Sequence, residues 1–210
     1  MGEFTAIGTP TYRSWTRLNS TAYAGSTTVV VQDNVPWIVG QKIVLSPTAY
    51  FTNTGRLWSD IGGSVEILTI LQVKKPSAST GYRGTILTLS GKLNQTHLCE
   101  TVEGISFCGA VGLLSRSIVI SSRDSEDKAT SSFGFGGHIA VLDLIKGVDG
   151  VSATFSGRVT MKNVELRNLG QLNSDRYAIS FSYSAAHRPS IISNCSFNNG
   201  YSIAVRAGTK

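Results

Sequence analysis

The chain has 210 residues, 19 Lys and Arg against 13 Asp and Glu for a formal charge of +6, 41% hydrophobic and 15% charged residues. Its 47 Ser and Thr and few charges argue against a disordered chain or a charge-laced helical bundle. The 22 Gly without a three-residue period and the 5 Pro exclude collagen, and no apolar run reaches the roughly 18 residues of a membrane helix.

The N-terminal Met1-Gly-Glu-Phe4 has no apolar core of the kind a signal peptide needs, and Gly208-Thr-Lys210 follows a strand pattern without a stop signal. Residues 1–4 and 208–210 therefore read as additions, and the chain as a piece of a larger protein. From residue 27 onward come short β-branched runs: Thr27–Asp33, Lys42–Ser46, Val65–Val73 and Thr85–Ser90. Gly40, Gly62, Gly63, Gly81 and Gly84 punctuate them as turns, which predicts an antiparallel β-rich module over about residues 12–103. Trp15 and Trp37 read as core or flanking residues of that module. Trp37 or Trp58 is the alternative as a sugar-stacking aromatic.

The second half repeats its own wording. Met161–Gly170 aligns with Ile192–Tyr201 at an offset of 31, and Tyr177–Phe181 with Tyr201–Val205 at an offset of 24. A strand-only repeat of this length predicts coils of a parallel β-helix, with Val164 and Leu166 stacked on Cys195 and Phe197. Asn163 above Asn194 and Asn168 above Asn199 become corner positions, where Asn tolerates left-handed backbone. Ser117–Ser121 and His138–Leu142 supply the preceding coil. The stretch between them, about residues 121–137, is Ser, Gly and charge, and reads as an exposed excursion.

The three cysteines show no metal-ligand spacing. Cys99 and Cys108 bracket a short loop through Gly104 and are the candidate disulfide, leaving Cys195 as a small apolar side chain. Asn19, Asn94 and Asn194 begin N-x-Ser/Thr sequons and are the glycosylation candidates. Lys and Arg are scattered, with Lys74–Lys75 the densest spot, so nucleic acid is not an expected partner. No cofactor or metal motif is present in the sequence. A polysaccharide-cleaving β-helix needs paired carboxylates on neighbouring coils. The candidates are Asp143 and Glu165, with Asp175 behind them, against the plainer reading of solvated surface carboxylates; His138 reads as a structural hydrogen-bonding residue, with a ligand or acid/base as the alternative. His97 and His187, beside polar turns, read as surface residues.

Taken together and in order, Trp15–Ala22, Trp37–Thr48, Glu66–Ile70, Leu87–Asn94 and Val111–Ile120 resemble the eight-glycine domain of fibrocystin, fibrocystin-L and the cell-surface hyaluronidase group. The resemblance continues through Phe135–Ile139, Val164–Gln171 and Arg176–Ile179, covering about residues 12–206. It implies an all-β chain: an eight-glycine-type module over 12–103, packed on the first coils of a right-handed parallel β-helix over 104–206. It also implies an extracellular segment of a large surface glycoprotein, reaching a membrane only through a segment outside this chain. Neighbouring domains of that ectodomain, an extracellular protein or an acidic glycan are the implied partners, and adhesion or receptor work the implied role. Hyaluronan-degrading members carry a Tyr-Pro-Ile-His-aromatic-His stretch where this sequence has Tyr177-Ala-Ile-Ser180-Phe-Ser182. Serine in place of both histidines implies a non-catalytic module, with a glycan-processing enzyme and an acidic-polysaccharide binder as the alternatives.

Overall fold

The structure, a computed structural model, describes residues 2–48, 65–76, 84–122, 134–148, 151–182 and 189–208. Every regular element among them is a strand. Two compact units divide the chain: residues 11–115, and residues 1–10 together with 116–210. Trp58, His187, Gly62, Gly63, Gly81 and most of the expected excursion, residues 123–133, lie outside the described residues.

Strand β1 (Gly2–Ile7) belongs to the second unit, and the unit of residues 11–115 begins with β2 (Trp15–Arg17). It continues with β3 (Thr28–Val31), β4 (Lys42–Leu45), β5 (Glu66–Lys74) and β6 (Thr85–Leu89). A hairpin of β7 (Cys99–Val102) and β8 (Ile105–Cys108) precedes β9 (Ala110–Leu113). The six main strands form one antiparallel sheet in the order β2-β9-β4-β5-β6-β3. A further pairing of Leu18 with Val31 curls the sheet so that its last strand returns to its first. Alternation decides which residues face inward, since successive side chains of a strand point to opposite faces. Val29, Val31, Ile43, Leu45, Leu87, Leu89, Val111 and Leu113 are buried together with Leu18, Trp37 and Ile70. Each such burial contributes about 1.5–3 kcal/mol of transfer free energy. The unit extends to Ser115 rather than 103 because β9 fills the place between β2 and β4.

The second unit is built from parallel ladders. Strands β10 (Ile118–Ser121), β13 (Val164–Arg167) and β16 (Ser196–Asn198) form one. A second contains β11 (Ile139–Val148), β14 (Ile179–Ser182) and β17 (Val205–Gly208). In the third, β12 (Val151–Lys162) pairs in parallel with β1 and with β15 (Ile191–Ser193). Gly2 to Phe4, expected to be additions, are thus part of a ladder, with Phe4 opposite Val159. From Asp143 to Val148, β11 also pairs antiparallel with β12.

Like stacks on like along the ladders: Ile120, Leu166 and Phe197 are in register, and Ile139 with Ile179 and Val205. Val164 and Cys195 join the same core, Cys195 half-buried with a free thiol. At the corners Asn163, Asn168, Asn194 and Asn199 all have φ between 50° and 56°. Asn194 Nδ2 donates to Asn163 Oδ1 at 2.6 Å, and Asn199 Nδ2 to Asn168 Oδ1 at 2.5 Å. The left-handed backbone and the side-chain amide ladder together explain why Asn occupies all four places.

The second offset read from sequence differs from the observed register. Ile179 pairs with Val205, a spacing of 26 rather than 24, so Tyr201 is not the counterpart of Tyr177. Matching Tyr-x-Ile aligned two tyrosines whose corners differ in length: Leu169–Ala178 makes a longer corner than the residues after Asn199. The end of the expected excursion is also paired rather than free. Phe135 bridges Gln171, Gly137 bridges Leu169, and a Cβ on Gly136 would lie 2.1 Å from the Asn168 carbonyl oxygen, so only glycine fits.

Candidate functional site

Strand β14 places Ser180 and Ser182 on one face while Ile179 and Phe181 turn toward the core. On the neighbouring β17, Arg206 stands opposite Ser180 and Gly208 opposite Ser182. These residues, with Asp175, Tyr177 and Phe181, line a surface groove of about 180 Å3. Its polar centre is a triangle. Arg206 Nη1 donates to the Tyr177 hydroxyl at 2.6 Å and to Asp175 Oδ1 at 3.4 Å, while that hydroxyl donates to Asp175 at 3.2 Å. The guanidinium also lies over the Tyr177 ring, 4.9 Å from its centroid. Among the described residues, the one carboxylate lining the groove is therefore held by a cation and a phenol. That arrangement orients donors for a ligand; it does not give either serine an activating base.

The carboxylates expected to act as a pair are not brought together. Asp143 lies on β11 and Glu165 on β13, strands of different ladders, because consecutive strands along the chain fall in different ladders. Glu165 is 3% exposed and ion-paired with Arg167 at 3.2 Å. Its oxygens accept from Asn198 Nδ2 at 3.0 Å and from the Arg116 backbone N–H at 3.3 Å. Those contacts tie three segments together, a structural role for a carboxylate read from sequence as a catalytic candidate. His138 is exposed at the entry to β11.

His97 corrects the surface assignment: it is 1% exposed in the core of the first unit. Nδ1 lies 2.8 Å from the Ser46 carbonyl oxygen and Nε2 lies 3.0 Å from Glu66 Oε1. The ring thus bridges the Ser46 carbonyl and the Glu66 carboxylate inside the core. Glu66 also accepts the backbone N–H groups of Asn94 at 2.8 Å and Gln95 at 3.0 Å. Burial pushes the Glu66 carboxyl up, but the Asn94 N–H, the His97 ring and the Gln95 N–H outweigh it and leave the group below the usual carboxylate range. The signal available in the sequence was position: His97 precedes β7 by two residues, and Glu66 begins β5 at an inward phase.

Cys99 and Cys108 are disulfide-bonded across the β7–β8 hairpin, as cross-strand partners. Of the sequon residues, Asn19 and Asn94 are exposed, whereas the Asn194 amide is the donor of the corner ladder. Trp37 is a core residue, its indole N–H donating to the Arg13 carbonyl oxygen at 3.0 Å, and Trp15 is 59% exposed at the flank on β2; burial of Trp37 sets aside its sugar-stacking alternative.

No family model matches the chain. Over 95% of its length it is 29% identical to a G8 domain-containing protein of Dictyostelium discoideum, and over 97% it is 30% identical to human fibrocystin-L. Mouse fibrocystin-L matches at 28% identity over 97% of the chain. The similarity supports a G8 domain. The chain spans 12% of the Dictyostelium relative and 5% of each fibrocystin-L. Among solved structures, the tailspike gp61 of Pseudomonas phage phi297 aligns over 94% of this chain and 31% of its own, at 12% identity and a TM-score of 0.34, too low to argue from. No helix among the described residues is long and apolar enough to cross a membrane.

Proposed function

We propose that the chain is a non-catalytic extracellular module of a fibrocystin-like surface glycoprotein, in which a G8 domain precedes the first coils of a right-handed parallel β-helix. The observation that carries the reading is the similarity to G8 domain-containing proteins and fibrocystin-L along almost the whole chain. The coil interpretation draws on the three parallel ladders and on corner asparagines repeating at 31 residues. An extracellular setting draws on the Cys99–Cys108 disulfide, since such bonds persist in oxidising compartments. The non-catalytic reading draws on Ser180 and Ser182, on a groove carboxylate engaged by Arg206 and Tyr177, and on the separation of Asp143 from Glu165. In this role the module acts through contact, with neighbouring domains, another extracellular protein or a glycan.

The test is incubation of the folded chain with size-defined hyaluronan, with and without calcium, followed by size-exclusion chromatography with light scattering. Unchanged polymer mass is the expected result. Shortened polymer, abolished by Asp143→Asn or Asp175→Asn, would overturn the reading in favour of a glycan-processing enzyme.

A further inference from the structure

The four corner asparagines share a backbone conformation and a hydrogen-bonding scheme but differ in the residue that follows. Asn163, Asn168, Asn194 and Asn199 all have φ between 50° and 56°. The first three precede Val164, Leu169 and Cys195, whereas Asn199 precedes Gly200, and Asn-Gly occurs nowhere else in the sequence. The fold does not impose that glycine. A Cβ on Gly136 or Gly8 would lie 2.1 Å or 2.3 Å from a carbonyl oxygen, but one on Gly200 would meet nothing closer than the Leu169 carbonyl oxygen at 3.4 Å. The φ of Gly200 also lies outside the left-handed region. Its N–H has no hydrogen-bond partner among the described residues, and Asn199 and Gly200 are both exposed.

A side-chain amide followed by glycine is open to attack from within the chain, because no side chain shields the next backbone nitrogen. The Gly200 nitrogen bonds to Asn199 Cγ as it loses its proton, Nδ2 leaves as ammonia, and a five-membered cyclic imide results. Water then opens the imide at Cγ to give Asp, or at the backbone carbonyl carbon to give isoaspartate, in which the chain runs through Cβ and Cγ. Water is consumed, ammonia is released, and nothing is oxidised or reduced. The intact corner opposes the first step. At the ψ of about +47° that accompanies left-handed φ, the Gly200 nitrogen points nearly opposite to Asn199 Cβ, whereas ring closure needs the two eclipsed. Asn199 Nδ2 is also held by Asn168 Oδ1 at 2.5 Å. The reaction therefore waits for the corner to open.

We infer that Asn199-Gly200 is a self-modifying site gated by opening of its corner, and that its conversion is a one-way switch releasing β17 and the groove centre attached to it. A carboxylate at position 199 has no hydrogen to give Asn168 Oδ1, so two acceptors meet where a donor bond stood. Isoaspartate also lengthens the backbone shortly before Val205, against the register that pairs Val205–Gly208 with Ile179–Ser182. All four residues of β17 are exposed, so little side-chain burial resists its release. Arg206 leaves with the strand, and with it go the bonds to the Tyr177 hydroxyl and to Asp175. The switch sets the lifetime of that cluster and does not depend on what the groove binds.

The experiment incubates the whole chain for weeks at neutral pH and body temperature and follows it by peptide-mapping mass spectrometry, with enzymatic methylation marking isoaspartate. Exchange of the amide for a carboxyl raises the mass of the peptide carrying residue 199, which separates it from isomerisation at Asp149-Gly150, where mass is unchanged. Conversion at Asn199 ahead of the other three corner asparagines is expected, and more slowly in the native chain than in guanidinium. Asn168→Gly, which removes the acceptor but accepts left-handed backbone, should speed it about two- to tenfold, the worth of one hydrogen bond. Gly200→Ala, for which the corner has room, should prevent it. Asn199→Asp tolerates the same φ and should reproduce the released state, with faster hydrogen exchange over β17 and unchanged exchange over β13. An Asn199 that stays intact in the native chain while the guanidinium-unfolded chain converts would overturn the inference. So would equal rates in the two states, or unchanged β17 exchange in Asn199→Asp.

Discussion

Removing the Glu66 carboxylate tests the central claim about the first unit, that a buried His97–Glu66 pair holds its strands in register. In Glu66→Ala the His97 ring, 1% exposed, and the N–H groups of Asn94 and Gln95 all lose their acceptor. Each donor left unsatisfied in the interior costs about 1–3 kcal/mol, so the three together cost about 3–5 kcal/mol. All three tryptophans, Trp15, Trp37 and Trp58, fall within residues 11–115, so tryptophan fluorescence during urea unfolding reports that unit. With a slope near 2 kcal/mol/M, the midpoint should fall by about 2 M. The carboxyl is held below its usual range, so its stabilisation is complete above the unfolded value near 4.5 and is lost as pH falls through the folded value. The gap between the native chain and Glu66→Gln should therefore be full above about pH 4.5 and close as pH falls through the folded value below it. A midpoint shift under about 0.5 M in Glu66→Ala, or a gap independent of pH, would refute the buried pair as a stabilising clamp.

The remaining predictions concern the other structural devices. Replacing Cys99 and Cys108 by Ser opens a short loop and should cost roughly 2–3 kcal/mol by the loop-closure relation, measured as a lowered urea midpoint for the first unit. Leu166→Ala, in the ladder between Ile120 and Phe197, should destabilise by about 2–5 kcal/mol, read by circular dichroism melting, whereas Val119→Ala on the exposed face should stay within about 1 kcal/mol. Expressed through a secretory pathway, the chain should carry glycans at Asn19 and Asn94 and none at Asn194, because that amide is already a ladder donor; glycopeptide mass spectrometry gives the occupancy.

The strands were legible because their signal is local. Thr27–Asp33 and Lys42–Ser46 are short apolar runs rich in β-branched residues, and β3 and β4 lie inside them. The corner asparagines were legible for a similar reason, since left-handed backbone restricts the residue type at one position and the constraint repeats with each rung. What stayed hidden depends on long-range pairing. On β2 either Trp15 or Thr16 could face the core, and only the register of β2 against β9 buries Thr16 and leaves Trp15 exposed. Asp143 and Glu165 looked like neighbours because successive strands were taken as adjacent, whereas they fall in separate ladders. His97 looked solvated because its chain neighbours Gln95 and Thr96 are polar, but its partner is 31 residues away in Glu66.

The same reasoning explains why function was less legible than fold. A ladder tolerates many side chains on its outward face, so Ser180, Ser182 and Arg206 are not demanded by folding, and no periodic pattern announces them. Their meaning comes from what the register sets beside them. Ser180 gains Arg206 from the next rung, and through Arg206 a connection to Asp175 and Tyr177. That arrangement needs one strand from a distant part of the chain, β17, which carries Arg206. Arg206→Ala should therefore release the Asp175 carboxylate and the Tyr177 hydroxyl without touching either residue, seen as a change in the titration of Tyr177 followed by its ultraviolet absorbance. An unchanged titration would show that Arg206 does not hold the groove's polar centre.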